Sequence, residues 1–255
     1  MTASKTPIAL ITGGSRGLGR NTALRLAERG VDVILTYKGN EAQAFEAVRQ
    51  IEALGRRAAA LQLDASDTRG LGAFVQRAKA VLAQTWQREQ FDYLVNNAGT
   101  GLHKSIAETT EEEFDTVANV HLKGVFFLTQ SLLPLIADGG RIINVSSGLA
   151  RFSIPGTAAY AMMKGGIEVF TRYLAKELGA RRITANTVAP GAIETDFNGG
   201  ALRDDADLNR MVAQSTALGR AGVPDDVGPM IASLLSDDNR WVNAQRIEVS
   251  GGMNI

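Results

Sequence analysis

No cysteine occurs in the 255 residues, which removes disulfides, thiol catalysis and zinc–thiolate centres from consideration. Net charge is absent too, since Lys plus Arg and Asp plus Glu number 27 each. With no basic block, nucleic acid and anionic membrane are poor candidate partners. No apolar run approaches the roughly 18 residues of a membrane span. Met1 to Pro7 hold no apolar core of a signal peptide, and the run at 8–12 is too short to serve as one. A soluble, cytoplasmic protein without a metal site is the expectation. Repeats, low-complexity tracts and Pro-rich linkers are also missing, so residues 1–255 read as one domain.

Hydrophobic residues make up 45% of the chain, enough for a sizeable core. Short apolar runs at 8–12, 31–36, 58–63, 93–95, 141–145, 184–188 and 246–249 read as strands. Between them, residues 18–29, 41–54, 70–84, 111–136, 157–178 and 224–235 carry apolar side chains at helical spacing. Thr110 and Glu113 form a capping-box pattern where the fourth of these helices starts. The alternation predicts an α/β fold: a Rossmann-type, doubly wound parallel sheet of about seven strands with helices on both faces. Residues 191–223 break the rhythm. They are polar and Gly-rich, with a weak helical pattern only around 208–211, and read as a lid over the site.

The first strand runs straight into Thr12-Gly-Gly-Ser-Arg-Gly-Leu-Gly19 and then into a helix. Glycines at 13, 17 and 19 let the backbone turn sharply and approach a pyrophosphate, while the helix N-terminus offers free amides. Ser15, Arg16 and Leu18 lie within the same cradle. The second strand ends in Thr36-Tyr37-Lys38, where enzymes that use NAD commonly place an acidic residue for the ribose 2′-hydroxyl. Cationic Lys38 and Arg16 without a carboxylate favour a 2′-phosphate, and so NADP(H) over NAD(H). The alternative for Lys38 is a solvated loop charge.

Tyr160 and Lys164 stand one helical turn apart, and Ser147 ends the apolar run that begins at Arg141. Tyrosine is a useful acid or base near neutral pH only if its pKa falls from about 10. An ammonium at i+4 on the same face favours the phenolate. A serine ending a neighbouring strand then holds a carbonyl oxygen within reach of both. Alone, a Tyr-x-x-x-Lys spacing is commonplace on helices.

Together these motifs resemble the short-chain dehydrogenase/reductase family, in its single-domain branch, over nearly the whole chain. Thr12 to Gly19 match its TGxxxGxG, Asn96-Asn97-Ala98-Gly99 its NNAG, and Ser147, Tyr160 and Lys164 its serine and YxxxK. Pro190-Gly191 matches its PG motif, and residues 218–224 and 250–252 its C-terminal signatures. The resemblance implies hydride transfer between a nicotinamide cofactor and a carbonyl or carbinol carbon, with Tyr160 as proton donor and acceptor. Lys164 would lower the Tyr160 pKa and bind the nicotinamide ribose, and Ser147 would hold the carbonyl oxygen. Asp64 and Ala65 would meet the adenine, although Asp64 reads equally as a cap or turn residue. Asn97, Ala98 and Gly99 would flank the cofactor, with Pro190, Gly191, Ile193 and Thr195 at its nicotinamide end. The family is usually tetrameric, which implies a homotetramer here.

One position departs from the family. Its fourth catalytic residue is an asparagine in a run like N-L-K-G-V-F, and here the run begins with His121. Histidine can donate and accept, so a proton relay through His121 survives with altered pH behaviour; the alternative is a locally bonded helix residue. Asn119 lies about 200° around a helix from that position and cannot substitute. Ser146 should face away from Ser147 as a structural residue. His103 reads as an exposed loop residue, and Trp86 and Trp241 as packing residues. Thr100, Gly101, Leu149, Phe152, Ile154, Ala192 and Phe197 neighbour the motifs and should face substrate. The whole reads as an oxidoreductase acting on a small-molecule carbonyl or secondary alcohol, resembling 3-oxoacyl-carrier-protein reductases and alcohol or sugar dehydrogenases. The competing reading is an NADP(H)-binding sensor on the same fold.

Overall fold

A computed structural model of the chain describes residues 6–255. One sheet carries β1 (Ile8–Ile11), β2 (Asp32–Tyr37), β3 (Ala58–Gln62), β4 (Phe91–Asn96), β5 (Ile136–Val145), β6 (Thr184–Pro190) and β7 (Arg246–Val249). Their spatial order is β3-β2-β1-β4-β5-β6-β7, and every neighbouring pair is parallel. The chain winds outward from β1 to β3, returns to β4 and then winds the other way. The crevice at that reversal, at the carboxyl ends of β1 and β4, is where such sheets bind ligands.

Successive residues of each strand serve opposite faces. Ala9 and Ile11, Val33 and Leu35, Val95 and Ile143 pack under α1 (Gly17–Glu28), α2 (Glu41–Ala53) and α9 (Pro224–Leu234). Ile8, Leu10, Ile34, Leu94 and Ile142 meet α3 (Leu71–Trp86), α5 (Gly124–Leu132) and α6 (Ala158–Glu177). Strands covered on both faces are apolar at most positions, which is why they read as apolar runs, and the buried exceptions such as Asn96 and Asn144 hydrogen-bond each other. Each fully buried Leu, Ile or Phe contributes about 1.5–3 kcal/mol of transfer free energy. Trp86 is buried and donates its indole N–H to Asp32 at 2.8 Å. Trp241, in contrast, is 95% exposed and packs on nothing within the described residues, against the expectation for it.

The predicted helix over 111–136 divides. After α4 (Glu111–Ala118) comes a wider π turn, Asn119–Lys123, closed by a hydrogen bond from the Gly124 N–H to the Asn119 carbonyl. Glycine at 124 lets the end of this turn approach the Ala65 carbonyl oxygen, which a Cβ there would overlap. Helix α5 then ends in a 3₁₀ turn, Leu133–Leu135, and β5 begins at Ile136, five residues before the predicted 141. The capping box at Thr110 and Glu113 is present, with both hydrogen bonds formed (3.1 and 3.2 Å). Residues 191–223 are more regular than the sequence suggests: α7 (Ala201–Asp204) and α8 (Ala206–Gln214) lie among them. Asp205 caps α8 by accepting from the backbone of Asp207 and Leu208. Among the described residues no helix is long and apolar enough to cross a membrane.

Candidate active site

The turn after β1 is a backbone cradle. Gly13 and Gly17 have positive φ (64° and 52°), and a Cβ at Gly19 would overlap the Gly13 carbonyl oxygen. Side chains at 13 and 19 would clash with Ala98 and the Gly13 carbonyl, so glycine alone allows a turn this tight ahead of α1. The first amides of α1 suit a pyrophosphate, and the cradle fits the dinucleotide. Asn97 braces it. Its Nδ2 donates to the Thr12 and Gly13 carbonyls (2.9 and 3.2 Å), while Thr12 Oγ1 accepts from the Asn97 and Ala98 amides at 2.9 Å each. The Asn97 side chain therefore acts as a strut between β1 and β4. Thr195 lies over the cradle, since a Cβ on Gly17 would sit 3.5 Å from the Thr195 Cβ.

At the far end of the crevice, Lys38 pairs with Asp64 at 2.9 Å. Asp64 Oδ1 also accepts from the Ser66 amide (3.0 Å) and hydroxyl (2.6 Å), which makes it a turn residue as well. Partial burial alone would raise the Asp64 pKa, but bonds from Ser66 and Lys38 outweigh it and hold the carboxyl below the usual range. Tyr37 is buried and donates to Glu41 at 3.0 Å, a carboxylate near the cradle that the sequence did not single out. Arg16 is exposed at the N-cap of α1.

Ser147, Tyr160, Lys164 and His121 converge beside the cradle. Ser147 follows β5, and its hydroxyl accepts from the Leu149 amide (3.2 Å) and stands near enough to the Tyr160 phenol to lower its pKa. Lys164 is 5% exposed, donates to the Val145 carbonyl at 2.8 Å, and holds its ammonium 5.5 Å from the Tyr160 ring centre. Burial pushes the Lys164 pKa down to about 7. Burial likewise raises that of Tyr160, and the Ser147 bond offsets only part of the rise. Desolvation thus dominates at the phenol, where the sequence pattern had suggested a lowering by Lys164.

His121, carried on the π turn, is 1% exposed and stands edge-on to Tyr160 with ring centres 5.1 Å apart. Its Nε2 lies 2.6 Å from the Thr100 carbonyl and 3.2 Å from the Thr100 amide. A contact of 2.6 Å with a carbonyl oxygen requires a proton between the atoms, so Nε2 carries the hydrogen and Nδ1 presents a bare lone pair. That Nδ1 is buried without a partner. Burial, then the Lys164 charge, push the ring pKa down to about 3. His121 is consequently neutral throughout the physiological range and titrates nowhere near it. Gly99 makes room for the ring, since a Cβ there would lie 2.7 Å from His121 Cε1.

The remaining expectations divide. Phe197 approaches Tyr160 (centres 6.2 Å apart), and Phe152 covers Gly148, where a Cβ would lie 2.7 Å from its ring. The Asn198 side chain occupies the space beside Gly101, joining residues 191–223 to the Thr100 loop. Ile193 pairs with Gly222 in an isolated bridge, and Pro190-Gly191 turns tightly against Ser250. Leu149 and Ala192 are half-buried along this wall, and Ile154 is exposed. His103 is exposed, yet its ring packs against Gly156. Ser146 faces away from Ser147 and donates to Glu168 at 2.8 Å.

Comparison with known proteins agrees with this geometry. Residues 13–254 match the family model described as enoyl-(acyl carrier protein) reductase. The chain is 36% identical to a hydroxynaphthalene reductase-like protein, Arp2, of Metarhizium brunneum, over 96% of this chain and 94% of that one. It is likewise 36% identical to the tetrahydroxynaphthalene reductase PfmaG of Pestalotiopsis fici, over 96% and 90%. Among solved structures, the promiscuous reductase LugOII, which catalyses keto-reduction at C1 in lugdunomycin biosynthesis, is 38% identical and superposes with a TM-score of 0.93 over 99% of this chain and 100% of that one. The angucycline C-6 ketoreductase LanV with bound NADP is 35% identical, with a TM-score of 0.93 over 98% and 96%. A glycine cradle at the switch point, a Ser-Tyr-Lys cluster beside it and full-length relatives of this kind lead to one assignment: the chain belongs to the short-chain dehydrogenase/reductase family, oxidoreductases that act on small molecules with a nicotinamide dinucleotide.

Proposed function

We propose that the chain is a cytoplasmic carbonyl reductase that prefers NADPH and reduces a flat, multi-ring ketone, with residues 191–223 of its single domain closing over the substrate as a lid. The observation that carries the reading is the convergence of Ser147, Tyr160 and Lys164 on the sheet edge beside the glycine cradle. Once bound, the cofactor supplies the hydride. Tyr160 is the proton donor to the carbonyl oxygen, and a phenol pushed up by burial is protonated and ready for that step. Ser147 gives the same oxygen a second hydrogen bond as its charge develops. Lys164 spends one donor on Val145, which leaves two for the nicotinamide ribose hydroxyls. His121 takes the family asparagine's place in the relay as a pure acceptor, its Nδ1 lone pair receiving a proton donor from the Lys164 side.

Lys38 and Arg16 support the NADPH preference as the cations nearest the expected 2′-phosphate, with Asp64 steering Lys38. The multi-ring substrate is supported by the apolar wall of Phe152, Phe197, Leu149 and Ile154 and by the naphthalene and angucycline reductases among the relatives. A homotetramer is supported by apolar side chains exposed on α5 and α6: Phe126, Phe127, Val169 and Tyr173. The test is cofactor oxidation at 340 nm, with NADPH and NADH, against naphthol-type and tetracyclic ketones alongside 3-oxoacyl thioesters. Tyr160→Phe should bind NADPH normally and lose about 10²–10⁴-fold in kcat. Equal turnover by the variant would sink the mechanism, and tight NADPH binding without any turnover would favour the sensor.

A further inference from the structure

Arg151 joins the turn that carries Ser147 to the C-terminal tail. It follows directly on the 3₁₀ turn Gly148–Ala150, which Ser147 caps. Its Nε and Nη2 grip both oxygens of Glu248 at 2.7 Å each. The same guanidinium donates to the carbonyls of Met253 (2.8 Å) and Asn254 (3.1 Å). On its other side that tail pairs with the end of residues 191–223. The Ala217 and Leu218 amides donate to Gly252 (3.2 Å) and Gly251 (3.1 Å), and the Asn254 amide to Ser215 (2.9 Å). A continuous hydrogen-bonded path thus runs from the base of the lid through the tail to the Ser147 turn.

The Arg151 anchor is itself fixed from below. Glu248 also accepts from Arg246 and from the Ser250 hydroxyl, at 2.8 Å each. Arg246 reaches Glu168 at 2.7 Å and the Ser147 carbonyl at 3.4 Å, and Glu168 accepts from Ser146 at 2.8 Å. Two guanidinium groups and two carboxylates balance. The Arg151 bond, with those of Arg246 and Ser250, holds the Glu248 carboxyl down to about 2, so the anchor stays charged at working pH. Only a planar fork of five donors can serve a carboxylate and two carbonyls at once; a lysine ammonium cannot.

We propose that Arg151 is a positioning residue that couples the 191–223 segment to the Ser147 turn through the C-terminal tail. When the segment settles over a substrate, the tail it pairs with is held, and through Arg151 the Ser147 hydroxyl is held beside Tyr160. The proposal rests on the reading of Ser147 as the residue that orients the carbonyl, so its test includes a measurement that needs no turnover. Amide hydrogen exchange of the full chain, with and without NADPH, is compared for wild type, Arg151→Met, Arg151→Lys and Glu248→Gln. In Arg151→Met, exchange should rise about tenfold at both 147–151 and 215–218 while β1 and β4 stay protected. Its kcat should fall about tenfold with the KM for NADPH unchanged, and Arg151→Lys should recover part of the loss. Glu248→Gln, which keeps the size of the side chain, should show the same paired rise. The proposal is overturned if exchange rises only in 251–255, if it rises equally in β1 and β4, or if kcat holds while both ends loosen. A paired rise in the variants, together with a wild type that reduces nothing, would leave the coupling standing and fell the reductase reading instead.

Discussion

Lys164 and Tyr160 both give up water, and burial drives their pKa values apart: down to about 7 for the ammonium, up for the phenol. The ammonium is present below about pH 7 and lost as pH rises through that value, and with it the charged donor for the ribose hydroxyls. NADPH affinity, followed by its fluorescence, should be flat from pH 6 to about 7 and then weaken about tenfold per pH unit, the slope of one proton. Lys164→Met should bind weakly with no such bend. A wild-type Kd that is flat to pH 9 would show that the lysine keeps its proton. His121 makes the opposite forecast. Held near 3, it is neutral from pH 5 to 8, so His121→Asn should change kcat without changing the shape of the pH–rate curve. An inflection near pH 6 that vanishes in the variant would contradict a ring pKa held near 3.

At the scale of elements, His121 and Gly99 are a matched pair, one on the π turn and the other after β4. A methyl at 99 would stand 2.7 Å from the imidazole, and the ring is pinned by the Nε2–H bond to the Thr100 carbonyl. Gly99→Ala should therefore cost about 1–3 kcal/mol in denaturant unfolding, the usual range for overpacking. In the His121→Asn background the shorter side chain frees that space, and the cost should shrink by most of that amount. Additive effects would mean that the two do not share the cavity.

The same elements show what the sequence made legible. The strands were, because Ile8 to Ile11 and Val33 to Leu35 are buried on both faces and apolar throughout. Ser147, Tyr160 and Lys164 were, because chemistry demands those side chains at those strand and helix ends. The π turn was not, since apolar spacing does not separate five wider-wound residues from the α-helices on either side. Helix α8 was legible only as a weak pattern at 208–211 despite the capping signal of Asp205, because the glycines and charges around it mask a short apolar stripe. Electrostatics was the least legible. Nothing in a Tyr-x-x-x-Lys spacing reveals that burial, acting on both groups, outweighs their attraction.

For the whole molecule, two exposed apolar surfaces call for partners. Phe126, Phe127, Val169 and Tyr173 stand 39–63% exposed on α5 and α6, with Phe126 stacked on Phe170 at 5.0 Å. A two-fold axis beside these helices would lay the patch on its own copy, the self-complementary arrangement of symmetric dimers. Trp241, 95% exposed, lies shortly before β7, the terminal strand of the sheet. Two distinct two-fold surfaces on one chain generate a tetramer of dihedral symmetry. Removing either one should leave a dimer rather than a monomer. Light scattering on the eluting protein should accordingly give four chains of 27.1 kDa for wild type, two for Phe126→Asp, two for Trp241→Asp and one for the double variant. The charge acts by stranding a carboxylate in a surface that must lose its water to associate. A wild-type monomer would remove the tetramer from the reading while leaving the chemistry untouched, because every residue assigned to the reaction lies within one chain.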